Sequence, residues 1–351
     1  MAGYILKRLL LMVPTLFGVM VVTFIVIQFV PGGPVEQLIS QMQHHSAAGE
    51  SGGGTRVPVY RGDSGLDQER IDKLKALYGF DKPVHQRFFD MVANYATFNL
   101  GESYFHHKSV LDLVISKLPV SITLGMWTFF IVYLTSIPLG ISKAARDGSR
   151  FDVTTTTIIL VGYAIPGFVL GITLLVLFGG GSFWNVFPLR GLVSDNWDTL
   201  SWYAKMGDYL WHITLPVIAS VVGSFAVITM LTKNSFVEEI RKQYVLTARA
   251  KGLQQNTVLY RHVFRNAMIP LITGFPVAFM GAFFASSLLI ETIFSLDGLG
   301  LLSYESVMKR DYPVILGTLY LFTLLGLVAK LLSDLCYVLI DPRIKFDSIT
   351  R

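Results

Sequence analysis

Six apolar runs, each long enough to cross roughly 30 Å of hydrocarbon at about 1.5 Å per helical residue, limit what this chain can fold into. They cover residues 9–30, 118–142, 154–178, 211–231, 268–294 and 314–340. Backbone donors and acceptors in lipid find no water, so runs of this length predict helices that satisfy their own hydrogen bonds. The expected fold class is an all-α polytopic membrane protein with six transmembrane helices. Composition agrees, since 52% of the 351 residues are hydrophobic and only 15% are charged, a balance too apolar for a soluble globule. The single cysteine, Cys336, lies inside an apolar run and leaves no partner for an intrachain disulfide. The adjacent pairs His44-His45 and His106-His107 diverge and lack metal-ligand spacing, so no metal site is expected.

The polar stretches suggest an anchor helix over 1–30, an extracytoplasmic loop or subdomain over 31–117, and a five-helix core over 118–351 holding a polar loop at 233–267. Lys7 and Arg8 precede the first run, which ends at Pro31-Gly-Gly-Pro34 without a small-x-small cleavage pattern and so reads as an uncleaved anchor. With the amino terminus inside, the inner segments hold fifteen Lys and Arg, whereas the two short outer loops hold only Arg190, Lys205, Lys309 and Arg310. Both termini are therefore expected in the cytoplasm. The net charge of +5 reports this asymmetry rather than nucleic-acid binding. In the long loop, 39–66 is rich in Gly and Ser and reads as flexible. Residues 67–78, closing on Gly79, and a second segment with Val84, Phe88, Met91 and Tyr95 on one face read as amphipathic helices that cap the membrane domain.

No Gly-Lys dipeptide occurs, hence no phosphate-cradling loop, and H-E-x-x-H is absent. No catalytic residue is expected, and the chain does not read as an enzyme. Charges within the apolar runs are few. Lys330 and Asp334, four residues apart, are expected to neutralise each other, and Glu291 is near enough to an interface to reach it. Pro138, Pro166, Pro216 and Pro276 fall in or near the ends of runs, which suits helices that bend around a cavity.

Between the fourth and fifth runs, residues 233–265 carry seven Lys and Arg and two acids. Tyr244-Val-Leu-Thr-Ala-Arg-Ala-Lys-Gly-Leu253 reads as a short helix stopping at Gly252, where the chain can turn sharply. This segment, followed by Arg261-His-Val-Phe-Arg-Asn-Ala-Met-Ile-Pro270, resembles the cytoplasmic EAA-type loop of ABC importer permeases, in the dipeptide and oligopeptide (OppB/DppB-like) branch. Val30-Pro-Gly-Gly-Pro34, Glu291-Thr-Ile-Phe-Ser-Leu-Asp-Gly-Leu-Gly300 with Arg310-Asp-Tyr-Pro313, and Asp341-Pro-Arg343 match the family in order and spacing. Asp297 stands where the family has Pro, and 39–66 looks like an insertion. Ser287-Leu-Leu-Ile-Glu291 and Ser303-Tyr-Glu-Ser306 make the chain look closest to the YejB-like subgroup, which the family links to longer peptides and to peptide antibiotics such as microcin C.

The resemblance implies a permease subunit of the bacterial inner membrane that forms a translocation path with a second permease. It also implies a binding protein that delivers peptide, and two ABC ATPase domains that bind ATP and Mg, with no cofactor in this chain. Tyr244, Thr247, Ala248, Arg249, Ala250, Gly252 and Leu253 are the implied ATPase-coupling residues, and Glu291 and Asp297 candidate path or gate residues. The alternative, an ion-coupled secondary transporter, calls for intramembrane acids or histidines in a relay and an internal repeat, and neither is evident. A purely structural role leaves the EAA-like segment without a purpose.

Overall fold

The computed structural model describes residues 2–29, 81–179, 183–284 and 288–340. The expected flexible stretch 39–66, the helix over 67–78 and the motifs at 30–34 and 341–343 lie outside them. The described residues are nearly all helical. They form α1 (Ala2–Phe29), α2 (Val84–Ala96), α3 (Val110–Ala145), α4 (Arg150–Ala164), α5 (Gly167–Phe178) and α6 (Trp202–Ile240). After these come α7 (Gln243–Ala250), α8 (Ile269–Phe284), α9 (Leu288–Ile293), α10 (Leu299–Lys309) and α11 (Tyr312–Ile340). Between α7 and α8 the chain stays helical through Gln255–Thr257, a π-helical Val258–Val263 and Phe264–Ala267.

Four helices, α1, α3, α6 and α11, are long and apolar enough to cross a membrane by themselves, and two bent pairs raise the number to six. The third expected span, 154–178, is one of those pairs: α4 and α5 meet at 88°. Pro166 causes the break. Ile165 before it takes an extended backbone (φ −85°, ψ 117°), the conformation that sterics before proline favour, and the helix stops there. Pro138, Pro216 and Pro276 lie inside α3, α6 and α8 and leave each helix continuous. In the fifth expected span, 268–294, Ile269–Phe284 and Leu288–Ile293 are helical, and the helical stretch 255–267 joins α8 at 51°.

The chain divides into two compact units. One comprises residues 9–116 and 302–324. In it Phe88 of α2 meets Phe17 and Phe24 of α1 edge-on at 5.8 and 5.3 Å, and Tyr95 stands 5.1 Å from Tyr320 of α11. The expected apolar face of α2 thus holds at Phe88 and Tyr95, but Val84, in the first turn of the helix, is 53% exposed. Buried Asp311 accepts from Ser103 Oγ and, at 3.1 Å, from Tyr104 N, which fixes the loop before α3.

The other unit, residues 1–8, 117–301 and 325–351, holds α4 to α9, most of α3 and the second half of α11. Its helices touch where side chains vanish. A Cβ on Gly125 of α3 would fall 1.6 Å from the Ala282 carbonyl oxygen of α8, and one on Gly140 would fall 2.6 Å from Thr232 Cβ of α6. Such contacts are how membrane helices gain dispersion energy without a hydrophobic driving force. The expected Lys330–Asp334 pair is secondary here. Asp334 accepts from Arg8 Nη2 at 2.7 Å and Tyr4 Oη at 3.0 Å, while Lys330 Nζ stays at 3.8 Å. A guanidinium on a neighbouring helix reaches the carboxylate better than an ammonium on the same face, and helical spacing reveals only the latter.

Candidate functional site

The segment 233–267 builds one compact site. Its short helix forms as expected: α7 covers Gln243–Ala250 and ends in a Schellman motif. Gly252 N donates to Arg249 O at 2.9 Å, Leu253 N to Ala248 O at 3.4 Å, and Gly252 itself has φ +83°. A side chain is disfavoured at that φ, which accounts for glycine where the helix stops.

One face of α7 is buried in its own chain. Val245 and Ala248 join Ile141, Ala144, Phe236, Val258 and Val263 in an apolar cluster. Ala248, expected at a partner, therefore points into its own core. The opposite face, with Thr247, Arg249, Ala250 and the trailing Gly252 and Leu253, is exposed, and Leu246 adds an apolar side chain that is 57% exposed.

A polar anchor holds α7 against the end of α6. Buried Glu239 accepts from Tyr244 Oη at 2.8 Å, from Asn266 Nδ2 at 3.1 Å and from Lys242 Nζ. Burial, and then the bond to Glu239, push the Tyr244 phenol up to about 12, so it remains a donor at neutral pH. The bond to Glu239 also raises the Lys242 ammonium. Tyr244→Phe leaves Glu239 short of one donor. The thermal midpoint of the solubilised protein should fall, by a stability loss of about 1 kcal/mol, and an unchanged midpoint would refute the anchor.

The second pair of sequence candidates lies elsewhere in this unit. Glu291 is fully buried, and its Oε2 accepts from Leu301 N at 2.7 Å in the first turn of α10. Ser121 Oγ takes Leu299 N at 3.0 Å. A carboxylate at a helix N-terminus meets free backbone donors and the positive end of the dipole. Gly298 leaves the room, since a Cβ there would come 2.3 Å from Glu291 Oε1. Asp297 pairs with Lys117 at the start of the core.

Also in this unit is a cavity of about 830 Å³ among α3, α4, α5, α6, α8 and α9. Phe129, Tyr133, Tyr163 and Phe168 supply aromatic walls and Ser220 and Ser224 hydroxyls, and among the described residues no charged side chain lines it.

Comparison with known proteins places this arrangement. The family model described as "Binding-protein-dependent transport system inner membrane component" matches residues 136–346. The chain belongs to that family. It is a transmembrane permease subunit of the ABC importer type, multi-pass in the inner membrane. A peptidoglycan transport system permease protein, YejB, of Agrobacterium fabrum is 58% identical over 99% of both chains. The inner membrane ABC transporter permease protein YejB of Escherichia coli O157:H7 is 53% identical over 99% of this chain and 100% of its own. The di/tripeptide permease protein DppB of Pseudomonas aeruginosa is 31% identical over 98% and 99%. The expected resemblance to OppB/DppB-like and YejB-like permeases therefore holds.

In the permease the structure brings the seven residues 244, 247, 248, 249, 250, 252 and 253 into one segment but divides them. Tyr244 and Ala248 face inward and hold the segment; the others face outward. Glu239, Asn266 and Leu246 were not among the sequence candidates. Leu246 was legible from helical spacing, being off the face of Val245 and Ala248, whereas the partners of Glu239 come together only through the turns that flank α7.

Proposed function

We propose that this permease is one of two membrane subunits of an ATP-driven importer of oligopeptides, with peptide antibiotics of the microcin C kind within its range. A second, similar permease completes the path. Two ABC ATPase domains bind ATP and Mg and seat the exposed face of α7, and a binding protein delivers peptide to the opposite side of the membrane. Both termini and α7 then lie in the cytoplasm, in keeping with the excess of Lys and Arg there. The names of the relatives, which specify peptidoglycan, di/tripeptide and oligopeptide transport, support a substrate with a peptide backbone. Among the described residues no charged side chain lines the aromatic cavity, which suits peptides of varied side chain. Glu291 and Asp297 fasten the start of α10 and the chain before it, and so position the outer closure of the path.

The observation that carries this reading is α7 itself, a short helix held by Glu239 and a buried apolar face while Leu246, Arg249 and Leu253 stand on its exposed side. A rigid, exposed, basic and partly apolar knob is built to enter a groove. Reconstitution in vesicles tests it. Uptake should require ATP and the ATPase subunits and proceed without an ion gradient. Uptake driven by a proton gradient without ATP, and lost on Glu291→Gln, would establish the ion-coupled alternative.

A further inference from the structure

Lys143 of α3 has no exposed side-chain surface, and a buried ammonium is tolerated only when its donors are satisfied. Its Nζ donates to the Asp152 carbonyl at 2.9 Å and to Thr155 Oγ1 and Thr156 Oγ1 at 2.7 Å each, and lies 3.1 Å from Asp152 Oδ1. Both hydroxyls pass their own protons to backbone carbonyls one turn earlier in α4, so each has a lone pair for the ammonium. The other carboxylate oxygen of Asp152 accepts from Lys233 Nζ of α6 at 2.6 Å and from Gly148 N at 3.1 Å. Lys233 also reaches Asp147 Oδ1 at 3.2 Å, and Asp147 Oδ2 takes Arg241 Nη2 at 3.0 Å.

These groups form an unbroken chain of opposite charges. It starts at Arg241, which ends α6 one residue before Lys242 and the anchor of α7, and finishes in the first turn of α4. Gly140 permits it by letting α3 lie against α6 beside Thr232, the neighbour of Lys233. At its far end α4 contributes Tyr163 to the cavity and then turns by 88° into α5, which supplies Phe168. Apolar residues of similar volume would hold three helices together at least as well, so stability alone does not account for five ionised groups here. What the network adds is a single geometry, because each charge is satisfied only when α3, α4 and α6 are in register.

We infer that Asp152 and Lys233 are positioning residues for transport: they join α4 to the end of α6 that carries α7, so that displacement of α7 moves the cavity wall. This rests on the coupling reading above. Without the join, α7 can still meet an ATPase, but its movement is dissipated at the end of α6.

The test uses the complete transporter, both permeases with the ATPases, in vesicles supplied with binding protein and a defined peptide, with uptake and ATP hydrolysis measured together. Lys233→Gln keeps the Lys143–Asp152 pair and cuts the link to α6. The ATP hydrolysed per peptide imported should rise about tenfold at equal amounts of complex, and Lys233→Arg should restore most of the ratio, which loss of packing would not predict. An unchanged ratio in Lys233→Gln, or uptake and hydrolysis falling together with the amount of complex, overturns the inference. Should that variant fail to assemble, Arg241→Gln, at a side chain 73% exposed, serves instead: a raised ratio supports the join and an unchanged one refutes it. Absence of ATP-dependent uptake by the unaltered transporter would sink the coupling reading, a different failure from unaltered ratios in the variants.

Discussion

A Leu246→Asp variant should lose uptake and peptide-stimulated ATP hydrolysis by about thirty- to a thousandfold, the cost of about 2–4 kcal/mol that follows removal of a central interface anchor. Leu246 is the largest apolar side chain on the exposed face of α7, and it contributes little to the fold of the free subunit. Its replacement should therefore leave thermal stability within about 0.5 kcal/mol of the parent. Ala248→Arg provides the contrast, because Ala248 is packed among Val245, Phe236 and Val263. It should lower stability and the yield of inserted protein before any question of coupling arises. Co-purification with the ATPase, uptake in vesicles and thermal midpoints separate the two effects. A Leu246→Asp permease that binds its ATPase and transports normally would show that the outward face of α7 is not the contact.

Assembly should collapse in Gly125→Leu. The nearest atom to a Cβ at that site is a backbone oxygen, Ala282 O at 1.6 Å, with Ala282 C at 2.6 Å, so no side-chain rotation relieves the clash and α3 must part from α8. Overpacking costs about 1–3 kcal/mol where neighbours can shift, and a backbone obstacle puts this site at or above that range. The same displacement would deform the cavity wall, since Gly125 and Ala282 both line it. Gly207→Ala is the control, with nothing within 4 Å of the added carbon and a better helix former in α6, worth up to about 1 kcal/mol. Size-exclusion profiles of the solubilised proteins should show Gly125→Leu aggregated and Gly207→Ala unchanged. A monodisperse Gly125→Leu permease would mean that α3 and α8 do not pack this closely.

The membrane class, the existence of the spans and the position of α7 were all legible in the sequence, because each is settled by forces that act locally. Length and hydropathy decide whether a segment crosses lipid, and Gly252 at φ +83° ends α7 because only glycine takes that conformation readily. The family resemblance was readable for the same reason, resting on contiguous motifs. Tertiary structure alone decided which proline breaks its helix, Pro166 and not Pro138, Pro216 or Pro276, since bending depends on what neighbouring helices offer the freed backbone groups. It also turned Ala248 inward, gave Asp334 to Arg8, placed Glu291 at the N-terminus of α10 and buried Lys143, which by sequence is one more positive charge beside a loop. A charge in this chain is stable only beside its acceptors, and those are supplied from other helices or from beyond a turn, at separations that no local spacing encodes.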